Sequence, residues 1–208
     1  MSRLDELFAR LYDPVMAGPE RAGLGSLRQE LLGGLTGRVL ELGAGTGANL
    51  PHYGPMVSEV VATEPSPPMA ARLRERVEAH GGATVRVLEA PAERLPVEDG
   101  SVDHVVSTLV LCTVDDLGAT LAEVDRVLAP DGTLVLIEHV ASPSAVGRTL
   151  QSAATPLWRV LARGCHLDRD TPAAVAAAGF DANRLGRIHL PGVDRVGPVV
   201  AGALPRAA

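Results

Sequence analysis

Acidic residues and glycines carry the most specific chemistry in this chain. Val39-Leu40-Glu41-Leu42 is a short apolar run holding one carboxylate, and Gly43, Gly45 and Gly47 follow it at alternate positions. Glycines this close suit a sharp strand-to-helix turn that lets a ligand approach the main chain. Gly43, Gly45 and Ala48 also satisfy the loose G-x-G-x-x-G/A dinucleotide pattern, a weak signal on its own. Glu41 weighs against a pyrophosphate, which it would repel, and suits a cationic amine or a sulfonium. Glu64 ends the next apolar run, where the two oxygens of a carboxylate match the adjacent hydroxyls of a ribose. Glu89 and Glu93 follow the third run. Acids at three successive strand ends are a poor design for holding phosphate.

A second set lies further on. His139 follows Glu138 at the end of an apolar run, and its near-neutral reference pKa makes it the candidate general base. Asp115 and Asp116 are lesser candidates, and helix capping explains Asp115 equally well. Cys112 and Cys165 are the only cysteines. They give neither a disulfide framework nor a C-x-x-C metal cluster, and are read as small buried hydrophobes, so no metal is expected. Trp158 suits an apolar wall, and Arg169 would grip an anionic acceptor or pair with Asp168 or Asp170.

The elements that must position these residues follow from periodicity. Apolar runs at 38–42, 57–63, 84–88, 103–111 and 133–138 alternate with helical patterns at 67–79 and from Asp115, the latter carrying Leu117, Leu121, Val124 and Leu128. Short links between strands and helices predict a parallel doubly wound sheet with the ligand crevice at the strand carboxyl ends. A helix is expected from about Ala48, and Pro130-Asp131-Gly132 as the turn into the fifth strand. Leu4, Leu7, Phe8, Leu11 and Val15 predict an N-terminal helix with that face on the domain, interrupted at Asp13-Pro14. A second helix stops at Gly33-Gly34. Residues 142–169, with Val146, Leu150, Ala154, Leu157 and Leu161, read as one or two helices. A helix at 171–178 and weaker strands at 182–189 and 195–202 complete the chain.

The segment Glu41-Leu42-Gly43-Ala44-Gly45-Thr46-Gly47 resembles the first motif, E/D-x-G-x-G-x-G, of class I S-adenosylmethionine-dependent methyltransferases. Glu64-Pro65-Ser66-Pro67-Pro68-Met69 resembles that family's acid-x-Ser-x-x-Met segment, and Ala92-Glu93-Arg94-Leu95-Pro96 its A-E-x-L-P turn, with Pro91 departing from the pattern. The resemblance implies S-adenosyl-L-methionine as cofactor. Glu41, Gly43, Gly45 and Gly47 would meet its methionine part, Glu64 its ribose, and Met69, Ala92 and Glu93 its adenine, with Ala44, Asn49 and Pro65 as further cofactor contacts. Thr108 and Leu109 would lie where methyl and acceptor meet. It also implies a Rossmann-like seven-stranded sheet of order 3-2-1-4-5-7-6 with strand 7 antiparallel. Thr108-Leu109-Val110-Leu111-Cys112-Thr113-Val114, Glu138-His139-Val140, and the spaced Trp158, Cys165, Arg169 and Thr171 resemble a narrower group. These are the methyltransferase-like thiol S-methyltransferases and their small bacterial relatives, close to the ubiquinone/menaquinone and phospholipid methyltransferases. That likeness puts Tyr12, Cys112, His139, Trp158, Cys165 and Arg169 at the acceptor pocket.

A chain of 208 residues without a composition break predicts one domain: 1–36 a helical flap, 37–141 the cofactor core, 142–169 helices covering the substrate, and 170–208 the last helix and strands. A net charge of -6 weighs against nucleic acid. The first residues mix charges too freely for a signal peptide, and the apolar runs fall far short of the roughly 20 residues needed to span a bilayer. The membrane anchor of eukaryotic members is not carried over, and a cytoplasmic monomer or homodimer acting on a small molecule is expected. The leading reading is methyl transfer to a small apolar thiol. N-, O- or C-methylation of a lipid, quinol or specialised metabolite, an NAD-dependent oxidoreductase and a non-catalytic cofactor-binding protein are the alternatives.

Overall fold

Near-continuous apolar runs become strands covered on both faces. The computed structural model describes residues 3–80, 83–190, 194 and 197–207. Strands β1 (Gly37–Leu42), β2 (Val57–Thr63), β3 (Thr84–Leu88), β4 (Val102–Thr108), β5 (Leu128–His139), β6 (Gly186–Ile188) and β7 (Val199–Leu204) form one sheet of order β3-β2-β1-β4-β5-β7-β6. The first five run parallel, and β7 lies antiparallel between β5 and β6. This is the expected topology.

Alternation along each strand builds two cores. Leu40 and Leu42 of β1, Val105 of β4 and Leu134 and Leu136 of β5 meet α4 (Leu117–Val127), α6 (Thr171–Ala177) and Phe180 on one face. Val39, Val60, Val106 and Val135 meet Leu32 of α2 (Gly25–Leu32) and Leu73 of α3 (Pro67–Ala79) on the other. Truncating a fully buried residue such as Leu40 or Leu134 to alanine costs about 2–5 kcal/mol at sites of this kind.

Several local expectations need correction. Helix α1 (Arg3–Pro19) runs through Asp13-Pro14, and the chain kinks instead at Gly23, whose φ is 133°. A proline removes one intrahelical donor, and here the neighbouring Asp13 carboxylate is fixed from outside by Thr46 and Arg76. Leu4, Leu7, Leu11 and Val15 do not face the domain; they are 50–72% exposed. Of that stripe only Phe8 is partly covered, its ring beneath the Arg163 guanidinium, and the helix docks instead through its flank at buried Ala9.

No helix follows the glycine turn. A short 3-10 turn, Leu50–His52, carries Pro51 at its start, and Asn49 turns inward to bond Glu41 and Thr108. Strand β4 ends at Thr108 rather than 111, because Leu109 adopts φ 59° and turns the chain. Helix α4 is capped by Asp116, not Asp115: its carboxylate accepts from the Ala119 N–H at 2.9 Å. Strand β5 begins directly at Leu128, and a register irregularity against β4 absorbs Pro130-Asp131-Gly132. Of the weak C-terminal strands, the first shrinks to β6 behind a 3-10 turn at Ala182–Arg184. The second begins at Val199, with positions 195 and 196 outside the described residues.

Residues 145–161 form one helix, α5 (Ala145–Leu161), capped by the Ser144 hydroxyl. Val146, Leu150, Leu157 and Leu161 point outward, whereas Gln151 and Thr155 are buried. Gln151 accepts from the Ser142 N–H at 2.6 Å, and the Thr155 hydroxyl donates to the Asp168 carboxylate at 3.2 Å. Polar contacts therefore choose the inner face of α5, against its apolar periodicity.

Candidate active site

The glycine turn sits where β1 ends, and its conformation needs glycine. Gly43 has φ 52° and faces Val110, with room for a Cβ only 2.8 Å from that side chain; Gly47 has φ 86° and is equally close to Leu73. Glu64, at the end of β2, ties this turn to the next. Its carboxylate accepts from the Gly45 N–H at 2.9 Å and from the Ser66 N–H at 2.8 Å. A carboxylate offers about four acceptor positions, so two remain for adjacent hydroxyls. Burial raises its pKa, against the pull of the two N–H groups.

Glu41 lies beneath the turn, only 2% exposed. Tyr53 Oη donates to one oxygen at 2.8 Å and Asn49 Nδ2 to the other at 2.9 Å. Asn49 Oδ1 in turn accepts from Arg28, which pairs with Glu20 at 2.9 Å. Burial raises Glu41 to about 7, opposed by the two donors and by Arg28. The chain from Glu20 to Glu41 thus holds one buried carboxylate in place behind the turn.

Helix α1 closes over this region. Asp13 accepts from Thr46 Oγ1 at 2.5 Å and pairs with Arg76 at 2.7 Å. Tyr12 and the buried Met69 both approach Gly45. A cavity of about 230 Å³ is lined by Tyr12, Asp13, Met16, Glu20, Ala48 and Arg76. Tyr12 therefore stands beside the glycine turn. Ala92 is buried after β3, and Pro65 is exposed. Glu93 is turned toward the loop after β4, accepting from the Asp115 and Asp116 N–H groups at 2.9 and 3.3 Å.

The loop after β4 is built around Glu138, a fully buried carboxylate on β5. It accepts from Ser107 Oγ at 2.6 Å, from the N–H groups of Val110 and Leu111 at 2.9 Å, and from that of Cys112 at 3.4 Å. Arg169 holds the same loop from outside: its guanidinium donates to the carbonyls of Leu111 and Val114 at 2.7 and 2.8 Å. Neither expected ion pair forms, since Asp168 is engaged by Ser152 and Asp170 caps α6. Thr108 and Leu109 are partly exposed beside the loop, with Thr108 Oγ1 accepting from Asn49.

Cys112, His139 and Cys165 converge here. The two sulfurs are 3.7 Å apart, and Cys165 Sγ is 4.0 Å from His139 Nδ1. The contact with Cys112 and the nearby imidazole make Cys165 the more acidic thiol, and Cys112 is raised by the same contact and by burial. Trp158 packs on this cluster, and its buried indole N–H adds to the lowering of the Cys165 thiol pKa.

The geometry matches known proteins. Residues 40–136 match the model of the methyltransferase domain family. Thiol S-methyltransferase TMT1A of Homo sapiens is 34% identical over 189 residues, covering 88% of this chain and 76% of that protein. The chain belongs to the class I S-adenosylmethionine-dependent methyltransferases. Another relative of this methyltransferase, thiol S-methyltransferase TMT1B of Homo sapiens, is 40% identical over 145 residues, covering 67% of the chain and 59% of that protein. The fold is shared with a solved methyltransferase of Thermotoga maritima described as a possible histamine N-methyltransferase, with TM-score 0.67, 24% identity and full coverage of both chains.

Sequence reasoning about this methyltransferase passed over Glu138, Asp13 and Asn49's link to Arg28. The signal for Glu138 was present: a carboxylate inside an otherwise apolar strand must find donors. Asp13, placed on a surface helix, carried no such mark.

Proposed function

We propose that this methyltransferase moves the cofactor methyl to a small, largely apolar thiol. The observation carrying this reading is the extent of the likeness to the human thiol S-methyltransferase. A match over 88% of the chain cannot fit within residues 40–136 and so takes in much of the acceptor side as well.

In this reading Glu64 accepts the ribose hydroxyls, Ala92 and Glu93 border the adenine, and the glycine turn with Glu41 and Asn49 receives the amino-acid part. Glu41 supplies negative charge for the ammonium through its hydrogen-bonded neighbours. The sulfonium is already an activated donor, so the protein's task is to align nucleophile, methyl and leaving sulfur and to exclude water. The rigid loop 109–112, Cys112, Cys165, His139 and Trp158 border the acceptor. A thiol, with reference pKa near 8.5, ionises easily and is strongly nucleophilic, which suits a site whose one histidine faces a cysteine. No helix among the described residues is long and apolar enough to cross a membrane.

Incubation with methyl-labelled S-adenosylmethionine and a panel of small thiols, amines, phenols and quinols tests the reading. Label is expected on thiols only, and Glu64→Ala is expected to lose it. Transfer to another acceptor class with no transfer to thiols would overturn the assignment.

A further inference from the structure

Cys112, Cys165 and His139 come from the loop after β4, the segment after α5 and the end of β5. Sγ, Sγ and an imidazole nitrogen all lie within 4.8 Å of one another in a buried pocket. Zinc bound tetrahedrally, with Zn–S of about 2.3 Å and Zn–N of about 2.0 Å, sets its sulfurs about 3.8 Å apart and sulfur and nitrogen about 3.5 Å apart. The observed separations are 3.7 Å for Cys112–Cys165 and 4.0 Å for Cys165–His139. We infer that these three side chains form a centre for a thiophilic divalent cation, zinc by the chemistry of its donors, with a fourth position open to the methyl acceptor.

The donors' surroundings are those of a preformed site. Cys112 is fixed on both sides of its peptide: its N–H faces Glu138 at 3.4 Å, and its carbonyl accepts from the His166 N–H at 2.7 Å. Arg169 clamps the flanking carbonyls of Leu111 and Val114. Gly197 lies so close to the His139 ring that a Cβ there would fall 2.1 Å from Nε2. Metal ligands held by such outer contacts keep their orientation. Two thiolates and one imidazole select zinc over harder cations and balance its charge. Three protein donors with one position left is the arrangement of catalytic rather than structural zinc. Trp158, packed against the same two cysteines, forms the apolar side of the pocket.

The role of the fourth position rests on the thiol reading above; the cation site does not. An acceptor thiol binding the cation loses its proton to solvent. Its sulfur lone pair then forms the new S–CH3 bond as the methyl–sulfonium bond breaks, and that electron pair leaves the cofactor as a neutral thioether. No oxidant is needed. The methylated product is a neutral thioether, a weaker ligand than a thiolate, and departs.

The test uses the full chain purified without chelators or a histidine tag, with metal content measured and cobalt(II) then substituted. One zinc ion per chain is expected, with thiolate-to-cobalt charge-transfer absorption in the near ultraviolet. Both should be lost in Cys112→Ser and Cys165→Ser proteins that still bind cofactor by calorimetry. Adding a small alkyl thiol without cofactor should shift the cobalt bands. Folded, cofactor-binding wild type that takes up neither zinc nor cobalt overturns the centre, as does metal content unchanged in both variants. Undiminished thiol methylation after complete zinc removal overturns the fourth-position role, while leaving the cation site and the thiol reading intact. Cobalt bands that ignore thiols, in an enzyme that methylates only another class, overturn the fourth-position role and the thiol reading together, and leave the cation site standing.

Discussion

The Glu138 carboxylate lies 2.6 Å from the Ser107 hydroxyl, joining β5 to β4 at the point where the chain leaves the sheet. The same carboxylate collects the three successive N–H groups of Val110, Leu111 and Cys112. One side chain thus sets the shape of the loop after β4.

Glu138→Ala should therefore damage more than a single contact. It leaves a buried hydroxyl and three peptide donors without their acceptor, a loss of about 3–5 kcal/mol in stability. Urea unfolding measures it. Glu138→Gln keeps one acceptor oxygen but aims an amide N–H2 at peptide donors, and should lower kcat more than it weakens cofactor binding.

Glu41 gives a pH dependence of defined sign. Burial raises it from an ordinary 4.5 to about 7, so the folded cofactor-free protein keeps a proton that the unfolded chain releases. Stability from this group is greatest below about pH 4.5 and falls as pH rises toward about 7, by on the order of 3 kcal/mol. An ammonium held near Glu41 favours the ionised form, so cofactor affinity should rise with pH up to about 7, with a proton released on binding. Calorimetry in buffers of different ionisation enthalpy reads that proton, and Glu41→Gln should abolish its release.

Glu64→Gln is expected to weaken cofactor binding by about 10- to 150-fold, the equivalent of one charge-assisted hydrogen bond of about 1.5–3 kcal/mol. Glu64→Asp tests reach: it keeps the charge but withdraws it from the Gly45 N–H, now 2.9 Å away. A loss close to that of Gln would show that position outweighs charge.

The sheet was legible in the sequence because strands buried on both faces must be almost wholly apolar, and because three acids end three of them. The faces of α1 and α5 were not. Periodicity finds a stripe but cannot say that a different side will be chosen by Asp13 on Thr46 and Arg76, or by Gln151 on the chain at 140–142. Nor could spacing unite Cys112 and Cys165, which stand 53 positions apart and meet only because the segment after α5 returns to the β4 loop. The role of Glu138 was not legible for a different reason: the donors it collects lie 26 to 31 positions away, on β4 and the loop after it.

Asp13→Asn should loosen α1 over the glycine turn without unfolding the domain. Its partly exposed pairing with Arg76 is worth at most about 1 kcal/mol in stability, whereas cofactor dissociation in stopped-flow should quicken about 3- to 10-fold. Equal dissociation rates in the two proteins would remove α1 from cofactor retention.

Gly197→Ala places a methyl 2.1 Å from His139 Nε2 and 2.6 Å from Gln151 Nε2. The imidazole must shift, and a displacement of that order costs about 100-fold in turnover at a preorganised site. Cofactor affinity, set at β1 and β2, should stay within about twofold.

The inward polar face of α5 has a consequence for how an acceptor gets in. A helix seated by Gln151 and Thr155, with its leucines turned to solvent and Trp158 as its apolar anchor on the cysteines, gives up little apolar contact beyond that one ring when it lifts. Water can take over the hydrogen bonds it breaks. Such a helix breathes on its own, without disturbing the sheet below, and its amides should exchange hydrogen far sooner than those of β4 or β5. With the acceptor at the cysteines, as proposed above, its entry would need no permanent doorway: the wall beside them is itself the part expected to open.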